Sequence, residues 1–544
     1  MKEIKQQFIQ AKTKTSFESV LKEGGIKDTS IAFIEDSNQI WAKGKYYSAI
    51  PKEGHERQIL AWKANGEAKW EDLANMFTGL EEVLAYGVQF DMTVADPHLT
   101  RIGNMSLHKS LPIQSQLKGC IAQGDKIIYW LDESDWRFRK EPIIVGQVLV
   151  HDIDRERGIH TIVNDVFSTL QYDKQWITLD GIPCQVTSID TSTKTATVYD
   201  YLDVDFEALS TDFSTYTAEL ALGAVLNGYD GTVRVYCPAF YIKSTVDGNI
   251  AKVWLSTVKI DDTYTYQPEI LVDAYRSTVL NTVPENMGYL STLPVNSAIS
   301  VVNTNTYCRG GGNRSNYDQY LATDPFRTDL GKPRTSIPIA TMRAYSRTAN
   351  SQMLNYDQYK NIFYWLYVVE YANFNSQEAY NATLTDEGYH QGGMGAGITN
   401  VSSWYSYNGM FSLTPCGYGN ALGNRTGLVS LTIPEFGSTN AQPMQMARWR
   451  GFDNPFGDVD TNLDGIIIDA DLDNRPDNRP DKMNYVYTCQ DASKYADTLN
   501  DSYVKVGEEV PQSGYIKSFD LGDAAHIIPH VMGGNATQYI CDWQ

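Results

Sequence analysis

Beyond Gly87 the sequence rarely sustains apolar residues at helical spacing. Short runs rich in Tyr, Thr, Val and Ile alternate with Gly, Asn, Asp and Thr turns. Apolar runs broken this often by turn formers build sheets, so the bulk of the chain is expected to be β. The segment 141–227 shows this most compactly. PIIVGQVLVHDI, KQWITLDGIPCQVTSID and KTATVYDYL are β-prone and separated by Asp-Gly or Thr-Ser-Thr turns. They predict a small barrel or sandwich of about five strands.

Helix signals are local exceptions. Ile4, Phe8, Phe17, Val20 and Leu21 predict a short helix within residues 1–25, stopped by Gly24-Gly25. In IKDTSIAFIEDSNQIWAKGKYY (26–47), apolar runs flank the turn composition Glu35-Asp36-Ser37-Asn38, which predicts a hairpin. A lone hairpin is marginal in water, so this piece is expected to pair with a neighbour. Trp70, Leu73, Phe77, Leu80 and Leu84 predict a helix over Trp70–Leu84, and a clear helix is expected around Asn355–Ala372. The stretches 390–400 and 473–480 read as loops.

Composition narrows the function classes. Across 544 residues, 45 Lys and Arg face 66 Asp and Glu, a formal charge of −21 that repels a phosphate backbone. Basic residues are scattered, so no nucleic-acid partner is expected. The longest strongly apolar stretch, Ile362–Val369, falls far short of the roughly 20 residues of a spanning helix, so no membrane insertion is expected. The first twenty residues lack an apolar signal core. Seven irregularly spaced cysteines without a CxxC pair suggest reduced thiols in a chain folded in a cytosol.

Catalytic motifs are missing: there is no HExxH, GxSxG elbow or Walker loop. His526 and His530 read as structural, and the glycine run Arg309–Arg314 lacks the ending of a phosphate loop. The sharpest local signal is Asp460-Thr461-Asn462-Leu463-Asp464-Gly465, continued to Asp471. Oxygen ligands at positions 1, 3 and 5, Gly at 6 and an acid at 12 match a calcium loop, with Asp460, Asn462, Asp464 and Asp471 as candidate ligands for Ca²⁺. The competing reading is a solvated acidic turn joining two strands, since Ile466-Ile467-Ile468 prefers a strand and Asp473–Pro480 cannot be helix. Thirty-five tyrosines and the cluster Trp404–Gly409 suit a contact surface, or else an aromatic interior. Arg448, Trp449 and Arg450 read as structural.

Five phrases occur in order: MRAYSR (342–347), VVEYANFNSQ (368–377), NGMFSLTPCGYGNALGNRTG (408–427), RGFDNPFG (450–457) and GGNATQYICDWQ (533–544). Together they resemble the C-type-lectin-like domains of phage fibre proteins, which are related in fold to formylglycine-generating enzymes. TRIGNMSLHKSLPIQSQLKGC (100–120) and DGTVRVYCPAFYIK (230–243) resemble the start of the same domain, here split by an intervening segment. The 26–47 hairpin resembles a module that opens many virion fibre proteins, especially in crAss-like phages of Bacteroidales hosts. Asp458, Asp460 and Asp464 stand where family members usually carry aromatics. Such fibres often continue past the CDW phrase into a variable tip, so a tip site is in question.

The expected fold is therefore α+β, mostly β. A short N-terminal helix and hairpin anchor occupies 1–50, and a linker or helical segment 51–86. A C-type-lectin-like domain formed by 87–140 plus 228–544 is interrupted by a small inserted β-barrel at 141–227. The resemblance implies a non-enzymatic structural protein of the virion, a head or tail fibre assembled in the host cytoplasm. It implies a homotrimer that contacts capsid or tail proteins through its N-terminus and a host surface glycan or another fibre protein through its lectin-like domain. Beyond Ca²⁺, no cofactor is expected. The alternatives are a polysaccharide depolymerase on the same scaffold, or a purely structural capsid decoration or connector.

Overall fold

The computed structural model describes backbone strands at 8–11, 31–34, 39–42, 45–48, 58–62 and 68–72. From there it describes residues 79–154, 158–170, 175–200, 215–226, 230–280, 307–310, 338–348, 351–395, 417–434, 441–456, 461–470, 483–512 and 514–535. Strand exceeds helix, 43 % against 16 %, which makes the fold mostly β as expected. The chain divides into two compact units, Met1–Leu80 and Glu81–Gln544. Among the described residues no helix is long and apolar enough to cross a membrane.

In the first unit, β1 (Phe8–Ala11), β2 (Ile31–Ile34), β3 (Gln39–Ala42) and β4 (Lys45–Ser48) form a sheet in that order. β2 and β3 are the expected hairpin, with Ile31 opposite Ala42 and Ile34 opposite Gln39. Where a helix was expected, Phe8–Ala11 instead runs parallel to β2, Phe8 opposite Ile31. A loosely patterned apolar run gains ladder bonds along one side at an open sheet edge, and that outweighs a weak helical repeat. The rest of 1–25 lies outside the described residues. β5 (Gln58–Trp62) and β6 (Ala68–Asp72) form a second hairpin, with Leu60 opposite Trp70. The helix expected over Trp70–Leu84 is thus a strand at its start; residues 73–78 lie outside the described ones, and among the rest only Glu81–Leu84, in the second unit, is helical.

The second unit opens with β7 (Ala85–Asp91), β8 (Thr100–Gly103), β9 (Lys118–Gln123) and β10 (Lys126–Trp130). The chain then enters β11 (Ile143–Asp154), β12 (Ile159–Val163), β13 (Trp176–Leu179), β14 (Ile182–Asp190), β15 (Thr195–Tyr199) and β16 (Thr215–Leu222). These six close a barrel in the order β11-β12-β15-β14-β13-β16. Alternation along β11 sends Val148 and Val150 inward and leaves Leu149 exposed. Inside they meet Ile162, Phe167, Ile177, Leu179, Val186, Val198 and Leu220, a core separate from that of the rest of the unit. A register shift at Gly146, whose φ is +123°, bends β11 where it runs along β16.

On returning, the chain forms β17 (Thr232–Cys237), β18 (Phe240–Asp247), β19 (Ile250–Ser256), β20 (Thr265–Gln267) and β21 (Ile270–Asp273). β17 pairs directly with β9, Val233 opposite Ile121, so the barrel is spliced between two neighbouring strands of one sheet. That sheet runs β10-β9-β17-β21, and a second runs β20-β18-β19-β7-β8. At the splice, Arg139 donates to the Gly223 carbonyl at 2.8 Å and to Asp230 at 3.1 Å. Its guanidinium lies 3.9 Å from the Tyr129 ring centroid, and the Tyr129 hydroxyl accepts from Val225 N–H at 3.1 Å. Both chain crossings into the barrel are therefore tied to the body.

The main core also buries the helical run Tyr356–Tyr371, close to the predicted limits. Asn355 and Gln358 form a capping box at its start, and Ala372 ends it at φ +50°. Residues from Lys360 to Tyr371 are all buried, as expected for a helix apolar around its circumference. Its middle, Tyr359–Trp365, is a π-helix. Lys360 is held there by the Asn361 side-chain oxygen at 2.7 Å and the Ala524 carbonyl at 2.8 Å. Trp136 is another fully buried anchor. Its indole N–H donates to Asn424 at 2.9 Å, and Gly119 packs so close that a Cβ there would lie 2.2 Å from the ring.

Candidate functional site

Of the four candidate calcium ligands, Asp460 and Asp471 lie outside the described residues. Asn462 is exposed, while Asp464 is 2 % exposed and already engaged. Arg343 grips it through Nε at 2.7 Å and Nη2 at 2.9 Å, and Gly465 N–H adds a bond at 3.0 Å. The hydrogen bonds that Arg343 donates to Asp464, set against burial and joined by one to Asp497, hold its guanidinium above its ordinary pKa. The peptide around Asp464 is pinned too, its N–H to the Leu354 carbonyl and its carbonyl to Tyr356 N–H. Among the described residues, no group of three or more His, Cys, Asp or Glu is placed to hold a metal ion. Ile466–Asp469 is a strand, the element its isoleucines favour. The aromatic cluster Trp404–Gly409 lies outside the described residues.

The strongest concentration of charge is elsewhere, around Glu370. This residue sits near the C-terminal end of the buried helix, where a carboxylate opposes the helix dipole and needs a cation. Arg450 supplies it, donating through Nε at 3.1 Å and Nη2 at 2.8 Å, while the Trp449 indole adds a bond at 3.2 Å. The Arg450–Gly451 turn aims these groups, with Arg450 at φ +51°. Burial works against the Arg450 charge, but Glu370 outweighs it and the pKa is raised.

The same carboxylate orients His390, whose Nδ1 lies 3.2 Å from Glu370 Oε1. The Glu370 side chain is fully buried, whereas 32 % of the His390 side chain is exposed. Burial lowers the His390 pKa, with Glu370 opposing and Arg450 and Arg101 reinforcing the fall. The imidazole is neutral at neutral pH, its Nδ1 hydrogen directed to Glu370, which leaves Nε2 as an acceptor.

Arg101 projects from β8 toward the same place. Its Nη2 donates to the Glu370 carbonyl at 3.1 Å and the His390 carbonyl at 2.8 Å, the first relieving a helix-terminal carbonyl. Its Nε is buried without a hydrogen-bond partner. Burial lowers the Arg101 pKa, with Tyr389, Glu370 and Glu387 opposing the fall. The guanidinium carbon lies 4.7 Å from the Tyr389 ring centroid, and Lys109 Nζ lies 5.6 Å from it. Tyr389 is presented by a tight loop in which Thr385 N–H donates to the Tyr389 carbonyl at 2.8 Å and Gly388 takes φ +89°. His108 lies beneath, edge-on to Tyr389 and Tyr86. Burial pushes its pKa down to about 4.

Sequence reasoning missed this centre. It read Arg448, Trp449 and Arg450 as structural, and Arg448 is indeed buried against Asp453. Nothing near Glu370 in the sequence points to Arg450, because the partners are 80 positions apart. The arrangement offers a half-buried guanidinium, a lysine, a neutral imidazole and an aromatic ring at one surface. It contains hydrogen-bond donors and acceptors suited to holding a ligand. No protein family, curated protein or solved structure matches this chain.

Proposed function

We propose that this chain is a structural virion fibre protein, anchored by its leading unit and displaying its larger unit for attachment to a host surface. The observation that carries the reading is how the phrases of the resemblance meet in space. Glu370 of VVEYANFNSQ is gripped by Arg450 of RGFDNPFG, and Arg101 of the 100–120 phrase bonds the Glu370 carbonyl. Asp453 of RGFDNPFG accepts from Gly417 N–H of the 408–427 phrase at 2.7 Å. Separately weak phrases thus act as parts of one module, which favours a shared origin over chance matches. A trimer gives the leading sheet neighbours to pair with, and many copies on one particle convert modest single contacts into firm attachment.

Light scattering on the purified 61.1 kDa chain tests the oligomer, and immunogold labelling of phage particles tests the location. The expected results are a mass about three times that of the chain and label on the particle surface. A monomer together with unlabelled particles overturns the proposal.

A further inference from the structure

The barrel turns an apolar wall to solvent across β15, β12, β11 and β16. Val163 and Leu149 stand directly opposite each other, 47 % and 45 % exposed. Thr195 lies beyond Val163 and Thr217 beyond Leu149, so one row crosses all four strands. The residues that alternate with this row, Ile162 and Val148 among them, belong to the barrel core. Ile144, 56 % exposed, extends the wall along β11. No Asp, Glu, Lys or Arg stands in the row. The acids that flank it in the ladder are Asp190, opposite Thr195, and Glu219, opposite Gln147. Bordering Lys194 and Asp165 neutralise each other at 2.6 Å. An apolar centre with charge kept to its rim is the anatomy of a protein–protein interface.

We infer that this wall is an interface between copies of the chain. A closed barrel has no free strand edge, so whatever docks on its wall docks on a face. Each copy carries a formal charge of −21, and copies repel one another wherever acids meet. A basic partner is drawn to exposed acids, whereas a face without charge suits a partner of the same sign. A second copy is that partner, and a face of Thr, Val and Leu packs against its like as two sheets do in a sandwich. The barrel is spliced between β9 and β17 and tied at both crossings through Arg139 and Tyr129, which fixes the wall on the body. This inference rests on the oligomer of the fibre reading and names where its copies touch.

Sedimentation and light scattering of the full chain test it. Leu149→Glu combined with Val163→Glu sets acids at the centre of the wall. The mass should fall to that of the 61.1 kDa chain, or half-assembly should need about tenfold more protein. Val504→Glu, on the strand Val504–Glu509 and 65 % exposed, should leave the mass unchanged. Val163→Cys is the milder probe if the double variant misfolds. Its introduced thiol, read against the wild type, should be alkylated about tenfold more slowly in assembled chain than in chain diluted to monomer. Three results overturn the inference: the folded double variant assembles like the wild type, Val504→Glu disrupts assembly as strongly, or the introduced thiol reacts at one rate at every dilution. A thiol shielded even in the monomer means that the chain covers its own wall. If any of these occurs while the wild type is oligomeric, this surface is wrong and the fibre reading stands. A monomeric wild type removes the oligomer from that reading, and this interface with it.

Discussion

The Glu370–Arg450 pair is the most stringent place to test how the larger unit is held together. Arg450→Met keeps most of the aliphatic stem but removes both guanidinium bonds from a carboxylate whose side chain has no exposure. Only the Trp449 indole and His390 remain to stabilise it. Stranding one member of a buried pair costs about 3–5 kcal/mol. The reverse truncation, Glu370→Gln, leaves a cation that is 17 % exposed and reaches water, so a smaller loss of about 1–3 kcal/mol is expected. The double variant removes both charges and should be more stable than the summed losses predict, by about 2 kcal/mol. Urea unfolding followed by far-UV circular dichroism measures all four proteins. If the two single losses add to within about 0.5 kcal/mol, or Arg450→Met costs less than about 1 kcal/mol, the ion pair is not what locks the helix to the turn.

Other consequences follow from named contacts. His108 has a folded-state pKa near 4 against an unfolded value near 6.5, so the unfolded chain binds the extra proton and stability falls as pH drops between those values. The loss is on the order of 3 kcal/mol, and His108→Gln should flatten that part of the urea-midpoint profile relative to wild type. Gly119→Ala drives a Cβ into the Trp136 ring and should lower stability by roughly 2–3 kcal/mol in the same unfolding assay, whereas Gly181→Ala, with open space around it, should cost less despite its positive φ. Because Arg343 already occupies both Asp464 oxygens, millimolar Ca²⁺ should leave the melting temperature unchanged. A rise of several degrees in wild type that disappears in Asp464→Asn would show that a cation displaces the guanidinium.

The dipeptide Asp-Gly shows where the sequence could be read and where it could not. At Asp180-Gly181 it joins β13 to β14, both residues at positive φ, the geometry a two-residue hairpin turn requires. Everything that decides that turn lies within a few positions of it, which is why the barrel was foreseeable from short runs and turns. The helix at 355–372 was legible for the same reason, since its cap and its apolar circumference are local. At Asp464-Gly465 the same dipeptide completes a calcium-loop pattern, yet the Asp464 carboxylate is taken by Arg343, 121 positions upstream. The oxygen spacing was readable, but the competing guanidinium was not. Phe8–Ala11 follows the same logic, for its partner strand begins at Ile31 and its own composition fits helix or strand. Glu370 is the extreme case: its cation, its indole donor, its histidine and the Arg101 bond to its carbonyl arrive from three separate stretches of chain. A charge buried at a helix end demands a partner on physical grounds, but that Glu370 is buried at all is visible only in the fold. Only the sheet register and the turn at Arg450 determine which one it is.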